Sequence, residues 1–580
     1  MALDFQIKCG DGICASSEFI KEEGGVGFYA LKVSAVSADK PESVSFKFSL
    51  DVEGAFSVWN SECGFERLIR PNWKKGGVDS KISSGMPTQQ IISPNGTNAV
   101  NVAVSDVVST VSIKSGYIEE TCKTEFKIEI CSIFNNYETV LRIDLRAVPY
   151  VEALNDVRRW WYGVCGYKEA AVPLAAKEPV YSLWYSFHQN IDVDSVVEQC
   201  RLSKELGIET VIVDDGWQTE DNNRGYAYCG DWNVSGQKIP CGMKEFVKRV
   251  HNAGLKFLLW YSVPFVGKYT EAYKKFNGKI IDYNGDYGSL DPRYREVREY
   301  ITEIYRRALV EWDLDGFKLD FIDFFFYPGA NDVMADGRDC DSVEEAVAIL
   351  LMDIRKSLSE IKPDIMIEFR QPYVGPVTSS CGNMFRVADC PGDALRNRIG
   401  VVDIRLTSGS IPAHSDMLMW SMEESAETAA LQIINVLFAV PQISVMIDKL
   451  PDEHYRMLKF YINFWKSNRD VLLDGKLSAE NPEANYSLVS AEKDNRIVVA
   501  TFSKNLFCAE KGYDFAKLVN GTGKSGIAVL KRCRSEYEYI IYNCMGETVE
   551  NGVFSENENI KEFDVPASGV VELKKIRAVM

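Results

Sequence analysis

Acidic side chains stand directly after short apolar stretches of the sequence. Asp214 and Asp215 follow Thr210–Val213, and Asp320 ends another such stretch. Lys318 lies two residues before Asp320, so on a strand both side chains point to the same face. A neighbouring ammonium group favours the ionised form of a carboxylate and lowers its pKa. An ionised, fixed carboxylate is what a nucleophile in glycoside cleavage requires, and a structural ion pair inside the fold is the alternative.

Such chemistry needs a second carboxyl group, which must stay protonated in order to donate to a leaving oxygen. Asp389 follows the apolar stretch Phe385–Ala388, and Asp393 lies four residues later in a turn with Pro391 and Gly392. Spacing alone leaves the choice between Asp389 and Asp393 open.

The composition narrows the chemistry by exclusion. The sequence has only four histidines, no two of them close together, and no Cys-x-x-Cys pair, which excludes the common zinc patterns. A GxxxxGK[S/T] phosphate loop is also missing. We therefore expect neither a metal nor another cofactor.

The charge of the chain bears on its partners. With 65 Lys and Arg against 83 Asp and Glu in 580 residues, the formal net charge is −18. An acidic surface repels phosphate groups, so nucleic acid and anionic membranes are not expected partners. No apolar run approaches the ~20 residues that span a bilayer. The first residues lack the pattern of a secretory signal and the 15 cysteines are scattered, which predicts reduced thiols and a cytoplasmic location.

The elements that position these acids follow from periodicity. Helical stripes of apolar residues precede apolar strand-like stretches four times, which predicts a parallel sheet covered by helices. At about 300 residues the region matches a (β/α)8 TIM barrel, with a doubly wound open sheet as the alternative. The stripes and stretches are Val193–Cys200 before Thr210–Val213, Met243–Val250 before Phe257–Trp260, Val297–Ile304 before Gly316–Asp320, and Val343–Ile354 before Ile365–Glu368.

Alternating patterns with a period of two flank this region on both sides. Leu141, Ile143 and Leu145 alternate with charged residues before the barrel, and Arg496–Phe502 and Tyr537–Tyr542 are short apolar stretches after it. Such patterns are typical of half-buried strands in β-sandwiches. We predict a multidomain chain, α/β plus all-β: an N-terminal β-sandwich (1–175), a catalytic barrel (176–480) and a small C-terminal β-sandwich (481–580).

Five segments in order resemble the α-galactosidases of glycoside hydrolase family 36, of the melibiase clan. The resemblance covers roughly residues 179–450. The segments are Val213-Asp214-Asp215-Gly216-Trp217, Gly230-Asp231-Trp232, Leu259-Trp260, Lys318-Leu319-Asp320-Phe321 and Phe385-Arg386-Val387-Ala388-Asp389.

The resemblance implies roles for the acids and for Lys318. Asp320 would be the nucleophile and Asp389 the general acid/base of a retaining double displacement. Asp214 and Asp215 would hold the 4- and 6-hydroxyls of galactose, and Lys318 would contact the sugar beside the nucleophile. The implied substrate is an oligosaccharide or glycoside, and a homo-oligomer is possible.

The resemblance also suggests a wider pocket, with alternatives at several positions. Trp217, Trp232 and Trp260 would shape the pocket for the terminal sugar or would pack in the core. Arg386 would orient Asp389 or pair with another barrel acid. Arg370 and Asp393 complete the candidate substrate-binding set.

Two departures from the family pattern bear on the sugar. Trp260 is followed by Tyr261–Phe265 without the usual Glu, and Arg370–Tyr373 replaces the Cys- and Gly-rich run after the fifth strand, which in many members faces the sugar's 2-position. An α-galactosidase is the predicted activity. The alternatives are an α-N-acetylgalactosaminidase, an α-galactosyl transferase to a sugar acceptor, and a carbohydrate-binding protein that has lost turnover.

Overall fold

The computed structural model describes residues 3–35, 42–133, 136–326, 336–504, 506–509, 511–531 and 535–576. The predicted order of β domain, barrel and β domain is confirmed. None of the described helices has the length and apolar character needed to cross a membrane.

The N-terminal part is a sandwich of two antiparallel sheets. One sheet has the strand order β1-β4-β10-β9-β6 and the other β2-β3-β11-β8-β7-β5. Apolar side chains that alternate along the strands, such as Phe46, Phe126 and Leu141, meet between the sheets in one core. The strands are β1 (Gln6–Lys8), β2 (Ile13–Glu23), β3 (Val26–Ala35), β4 (Glu42–Leu50), β5 (Ser57–Trp59), β6 (Gly76–Ser80), β7 (Thr88–Ile92), β8 (Asn98–Val104), β9 (Val111–Ile118), β10 (Lys123–Ile133) and β11 (Tyr137–Asp144).

The central part is a barrel of eight parallel strands. Their order is β22-β12-β13-β14-β18-β19-β20-β21, and a parallel bridge between His414 and Val440 links the last strand back toward β22. An open doubly wound sheet is therefore excluded. The strands are β12 (Val180–Ser182), β13 (Thr210–Val213), β14 (Lys256–Ser262), β18 (Gly316–Asp320), β19 (Met366–Arg370), β20 (Met384–Arg386), β21 (Ala413–His414) and β22 (Gln442–Ile443).

Helices connect and cover these strands, and a three-stranded antiparallel sheet is inserted after β14. That sheet consists of β15 (Phe265–Gly267), β16 (Ile280–Asn284) and β17 (Tyr287–Leu290). The helices, including α1 that enters the barrel, are α1 (Tyr150–Cys165), α2 (Trp184–Phe187), α3 (Val193–Glu205), α4 (Met243–Asn252), α5 (Glu271–Lys275), α6 (Arg295–Trp312), α7 (Val343–Ile361), α8 (Pro376–Cys381), α9 (Ala394–Arg405), α10 (Ala426–Ile434) and α11 (Asp452–Asp474).

Local sequence fixes the ends of the covering helices. The Asp192 carboxylate accepts a hydrogen bond from the Ser195 amide at the start of α3, and Gly207 takes a left-handed φ of 88° just past its end. Ser342 caps α7 in the same way by accepting from the Glu345 amide. The starts of α3 and α7 are therefore set by capping side chains in the local sequence.

The C-terminal part is a second, smaller sandwich. A seven-stranded sheet, β23-β24-β25-β27-β32-β29-β30, packs on the three-stranded sheet β26-β28-β31. The strands are β23 (Lys476–Glu480), β24 (Leu488–Lys493), β25 (Arg496–Thr501), β26 (Leu506–Ala509), β27 (Phe515–Asn520), β28 (Ile527–Lys531), β29 (Tyr537–Tyr542), β30 (Thr548–Phe554), β31 (Ile560–Phe563) and β32 (Val570–Lys575). The predicted boundaries at 175 and 480 stay predictions.

One buried carboxylate ties all three parts together. Asp403 on α9 accepts hydrogen bonds from Trp59 Nε1 at 2.9 Å and Arg67 Nη2 at 3.1 Å, both from the first sandwich. It also accepts one from the phenol of Tyr486, just before β24. A buried carboxylate is stable only when its lone pairs are satisfied, so this contact fixes both sandwiches on the barrel.

Candidate active site

Asp320 stands at the carboxyl end of β18 with its side chain 8% exposed. Its Oδ1 accepts hydrogen bonds from Arg370 Nε at 2.6 Å, from the Phe321 amide at 2.8 Å and from the Tyr373 hydroxyl at 3.0 Å. Its Oδ2 accepts one from Trp260 Nε1 at 3.1 Å. The carboxylate is therefore fixed from two neighbouring strands, β14 and β19.

The surroundings of Asp320 keep it ionised. Burial by itself raises its pKa, because a charge is costly in a low-dielectric site. Arg370, Lys318 and Arg386 outweigh that effect and hold the pKa of Asp320 well below its usual range. The expected ionised carboxylate is thus present at the end of β18.

Lys318 lies on the same face of β18, but its nearest partner is not Asp320. Its Nζ is 2.6 Å from Asp214 Oδ2 and 4.0 Å from Asp320 Oδ2, and the side chain is 5% exposed. Although burial lowers it, the charge of Asp214 raises the pKa of Lys318 overall. The ammonium therefore bridges the ends of β13 and β18, a contact between segments about a hundred residues apart.

The paired aspartates Asp214 and Asp215 differ in their surroundings. Asp214 binds Lys318, whereas Asp215 accepts hydrogen bonds from the side-chain amides of Gln189 at 2.6 Å and Gln218 at 2.7 Å. Burial raises the pKa of Asp215 to about 6, against the lowering effect of those amides. The pair thus offers one carboxylate held by a cation and one held by neutral donors.

Arg386 at the end of β20 gathers three carboxylates. Its Nη1 is 2.5 Å from Asp416 Oδ1 and 2.9 Å from Asp389 Oδ1, and its Nε is 3.5 Å from Glu368 Oε1. Arg386, Asp416 and Glu368 are at most 1% exposed, whereas the Asp389 side chain is 58% exposed. Arg386 therefore contacts Asp389 and also pairs with two buried barrel acids, and an orienting role toward Asp389 stays a prediction.

The geometry separates the two candidates for the second acid. Asp393 is the N-cap of α9, where its Oδ1 accepts a hydrogen bond from the Arg396 amide at 2.9 Å. Asp389 caps nothing and lies exposed against Arg386. Although burial raises it, Arg386 lowers the pKa of Asp389 below its ordinary value. Both side chains are exposed, and they differ in that Asp393 caps a helix whereas Asp389 pairs with Arg386.

All three tryptophans are buried, and they differ in their contacts. Trp260 contacts Asp320 directly. Trp217 is fully buried, donates to the Trp260 carbonyl at 2.9 Å and stacks on Trp232 with ring centroids 5.8 Å apart. Trp217 supports the site from beneath and does not line it.

Several residues beside these acids carry no sequence signal. Tyr373 lies on the loop after β19, and Tyr185 donates to Asp416 Oδ2 at 3.0 Å. Asp416 follows β21, which is only two residues long and has no periodicity to reveal it. Within the described ranges, no group of three or more His, Cys, Asp or Glu side chains is arranged to hold a metal ion.

Comparison with known proteins shows that part of this sequence is similar to α-galactosidases. Residues 174–368 match the model of the Melibiase family. The α-galactosidase AgaA of Geobacillus stearothermophilus is 28% identical over 157 residues, which are 23% of this chain and 20% of that protein. The α-galactosidase Mel36A of Lactobacillus acidophilus is 26% identical over 197 residues, 32% of this chain and 26% of that protein. The sequence matches thus span about a quarter or less of these relatives.

Solved structures extend the likeness to the whole fold. A variant of the GH36 α-galactosidase AgaA in complex with raffinose has a TM-score of 0.62 at 15% identity, covering 99% of this chain and 87% of that one. The galactosidase domain of AgaSK has a TM-score of 0.61 at 14% identity, covering 99% and 85%. The chain is therefore similar to the family 36 α-galactosidases, and the resemblance seen in its motifs is confirmed.

Proposed function

We propose that this protein is a retaining exo-α-glycosidase, an α-galactosidase acting on small oligosaccharides or glycosides. The observation that carries the proposal is the unequal pair of acids at one rim of the barrel. Asp320 is buried and held by four donors, one of them the cationic Arg370, whereas Asp389 is exposed and pairs with Arg386 at 2.9 Å. A nucleophile needs the first environment, and the exposed position of Asp389 leaves its carboxyl accessible to a leaving oxygen and to water.

In the proposed mechanism Asp320 attacks the anomeric carbon while Asp389 donates its proton to the leaving oxygen. The glycosidic bond breaks and an ester forms between the sugar and Asp320. Asp389, now ionised, removes a proton from water, which attacks the same carbon and restores the Asp320 carboxylate. Two displacements at one carbon return the original anomer.

Asp214, Asp215 and Lys318 supply the polar groups for the sugar hydroxyls in this proposal. The carboxylate oxygens of Asp214 and Asp215 accept hydrogen bonds, while the Lys318 ammonium can donate them. Raffinose and stachyose are bound by AgaA variants in crystals, so raffinose is the first natural substrate to test. Cytoplasmic location and a homo-oligomeric state stay proposals, which cell fractionation and light scattering test.

The experiment compares Asp320→Ala and Asp389→Ala with the exposed Asp364→Ala as a control. With p-nitrophenyl α-galactoside, Asp320→Ala should lose at least ~10³-fold in kcat. Asp389→Ala should lose far more activity on raffinose than on the aryl substrate, whose leaving group needs no proton. Azide should rescue Asp320→Ala with a β-galactosyl azide and Asp389→Ala with an α-galactosyl azide.

The outcomes separate the alternatives. Near wild-type turnover by Asp320→Ala would remove Asp320 from the nucleophile role. Faster turnover of an aryl N-acetylgalactosaminide would reassign the sugar, and products that form only with an added sugar acceptor would indicate a transferase. Tight binding of galactose by calorimetry without hydrolysis of any substrate would indicate a binding protein.

A further inference from the structure

The two oxygens of the Asp320 carboxylate are not equivalent. Oδ1 receives three donors, from Arg370, Tyr373 and the Phe321 amide, although an sp² oxygen has only two in-plane lone pairs. Among the residues that the structure describes, Oδ2 receives a hydrogen bond from Trp260 Nε1 alone, with Lys318 Nζ at 4.0 Å. Oδ2 is therefore the oxygen that retains a free lone pair.

The donors on Oδ1 are themselves fixed in place. Tyr373 is 1% exposed, and its ring lies 5.3 Å from the Arg370 guanidinium. The Phe321 ring lies at the same distance from that guanidinium. Arg370 Nη1 donates to the Gln371 carbonyl at 2.8 Å, and Nη2 is 3.5 Å from Asp323. A guanidinium flanked by two rings and anchored at both ends cannot leave Oδ1 without breaking several contacts.

These contacts belong to the segment Arg370–Tyr373, where this sequence departs from the family pattern. Arg370 is 12% exposed, and its Nε donates a hydrogen bond to the Asp320 carboxylate. Since its other two nitrogens also have partners, its polar surface is directed at Asp320, at Asp323 and at the Gln371 carbonyl of its own loop. The segment thus acts on the proposed nucleophile, whatever else it does to the sugar.

We propose that Arg370 and Tyr373 are positioning residues that hold Oδ1 of Asp320 and leave Oδ2 as the attacking oxygen. This inference rests on the proposed function and deepens it. Arg370 and Tyr373, which we call the clamp, orient the free lone pair of Oδ2. They also prevent a rotation of the carboxylate that would exchange Oδ1 and Oδ2. Arg370 also keeps Asp320 ionised at the acidic pH at which Asp389 is protonated.

The test combines Tyr373→Phe, Arg370→Met and Arg370→Lys, with Tyr461→Phe as the matched control. Tyr461 is buried and donates to the Ser568 carbonyl outside the rim. Losing a hydrogen bond to a charged group should lower kcat by about 10- to 100-fold in Tyr373→Phe, with KM changed less than about twofold. Arg370→Met should also move the acid limb of the kcat/KM profile to higher pH, and Arg370→Lys should restore part of that shift.

A trapped glycosyl-enzyme gives the direct readout. In a crystal treated with 5-fluoro-α-galactosyl fluoride, the ester bond should involve the oxygen hydrogen-bonded to Trp260, with Arg370 and Tyr373 still on the other one. A bond to the clamped oxygen, or unchanged kcat and acid limb in both Tyr373→Phe and Arg370→Met, would overturn the inference. An increase in KM alone would make Arg370 a substrate-binding residue instead. If Asp320→Ala remains active, the proposed function fails first, so the two failures are distinguishable.

Discussion

The ion pair between Lys318 and Asp214 allows a quantitative test of the site. Replacing Lys318 with Met keeps an unbranched side chain that is one heavy atom shorter and removes its charge. Two buried carboxylates then lose their cation: Asp214 at 2.6 Å and Asp320 at 4.0 Å. Asp320 keeps Arg370, so the main loss falls on Asp214.

The magnitude follows from the distance and the burial. At an effective dielectric constant of ~20, two charges 2.6 Å apart attract by about 6 kcal/mol. Part of this gain offsets the cost of burying both groups, and removing one partner of a buried pair typically costs ~3–5 kcal/mol. We expect Lys318→Met to lower the free energy of unfolding by that amount at neutral pH.

A double-mutant cycle isolates the pair. Wild type, Lys318→Met, Asp214→Asn and the double variant are compared by urea unfolding followed by tryptophan fluorescence. The double variant should lose less stability than the sum of the single variants, by ~2 kcal/mol or more.

The exposed Lys244→Met serves as the control and should change stability by less than ~0.5 kcal/mol. If the stability losses of the two single variants add to that of the double variant within ~0.5 kcal/mol, the two charges are not coupled and the reasoning is refuted. A cost below ~1 kcal/mol for Lys318→Met alone would do the same.

Two further predictions concern the acids at the rim. The pH optimum for raffinose hydrolysis should be acidic, because Asp389 must be protonated and Arg386 lowers its pKa. Asp320 stays ionised to still lower pH. An optimum above neutrality would contradict this order of the two pKa values. The profile on an aryl galactoside should fall less steeply toward high pH. Asp393→Ala should lower stability by about 1 kcal/mol through loss of the α9 cap, yet keep kcat within a few-fold on both substrates; a kcat collapse on raffinose alone would instead return Asp393 to the acid role.

Sequence periodicity predicts the parts of the fold that are long enough to repeat. The strands β13 and β18 and the helices before them follow from apolar patterns, because each buries one face or both. The two-residue strands β21 and β22 cannot be found in this way, and with β21 the buried Asp416 is missed. Such short barrel strands form because they pair with strands that lie far away in the sequence.

The site was predictable in its residue types more than in its pairings. That Lys318 and Asp320 share a face follows from the strand period of two. Lys318 lies closer to Asp214 than to Asp320 because of the stagger between β13 and β18. No local sequence pattern encodes that stagger. The assignment of Asp393 to a helix cap likewise depends on where α9 begins.

The distribution of charge around Arg386 explains why an exposed acid suits the second role. One guanidinium faces Glu368, Asp389 and Asp416, so at most one of these carboxylates has its charge balanced by that cation alone. Burial raises the pKa of Glu368 to about 7 and also raises that of Asp416, while Asp389 moves in the opposite direction. These shifts favour the protonated form of the two buried carboxyls and the ionised form of the exposed Asp389. In the proposed mechanism, a sugar bound over Asp389 would exclude water from its carboxyl, and this desolvation opposes the effect of Arg386 and favours the protonated form that a general acid needs.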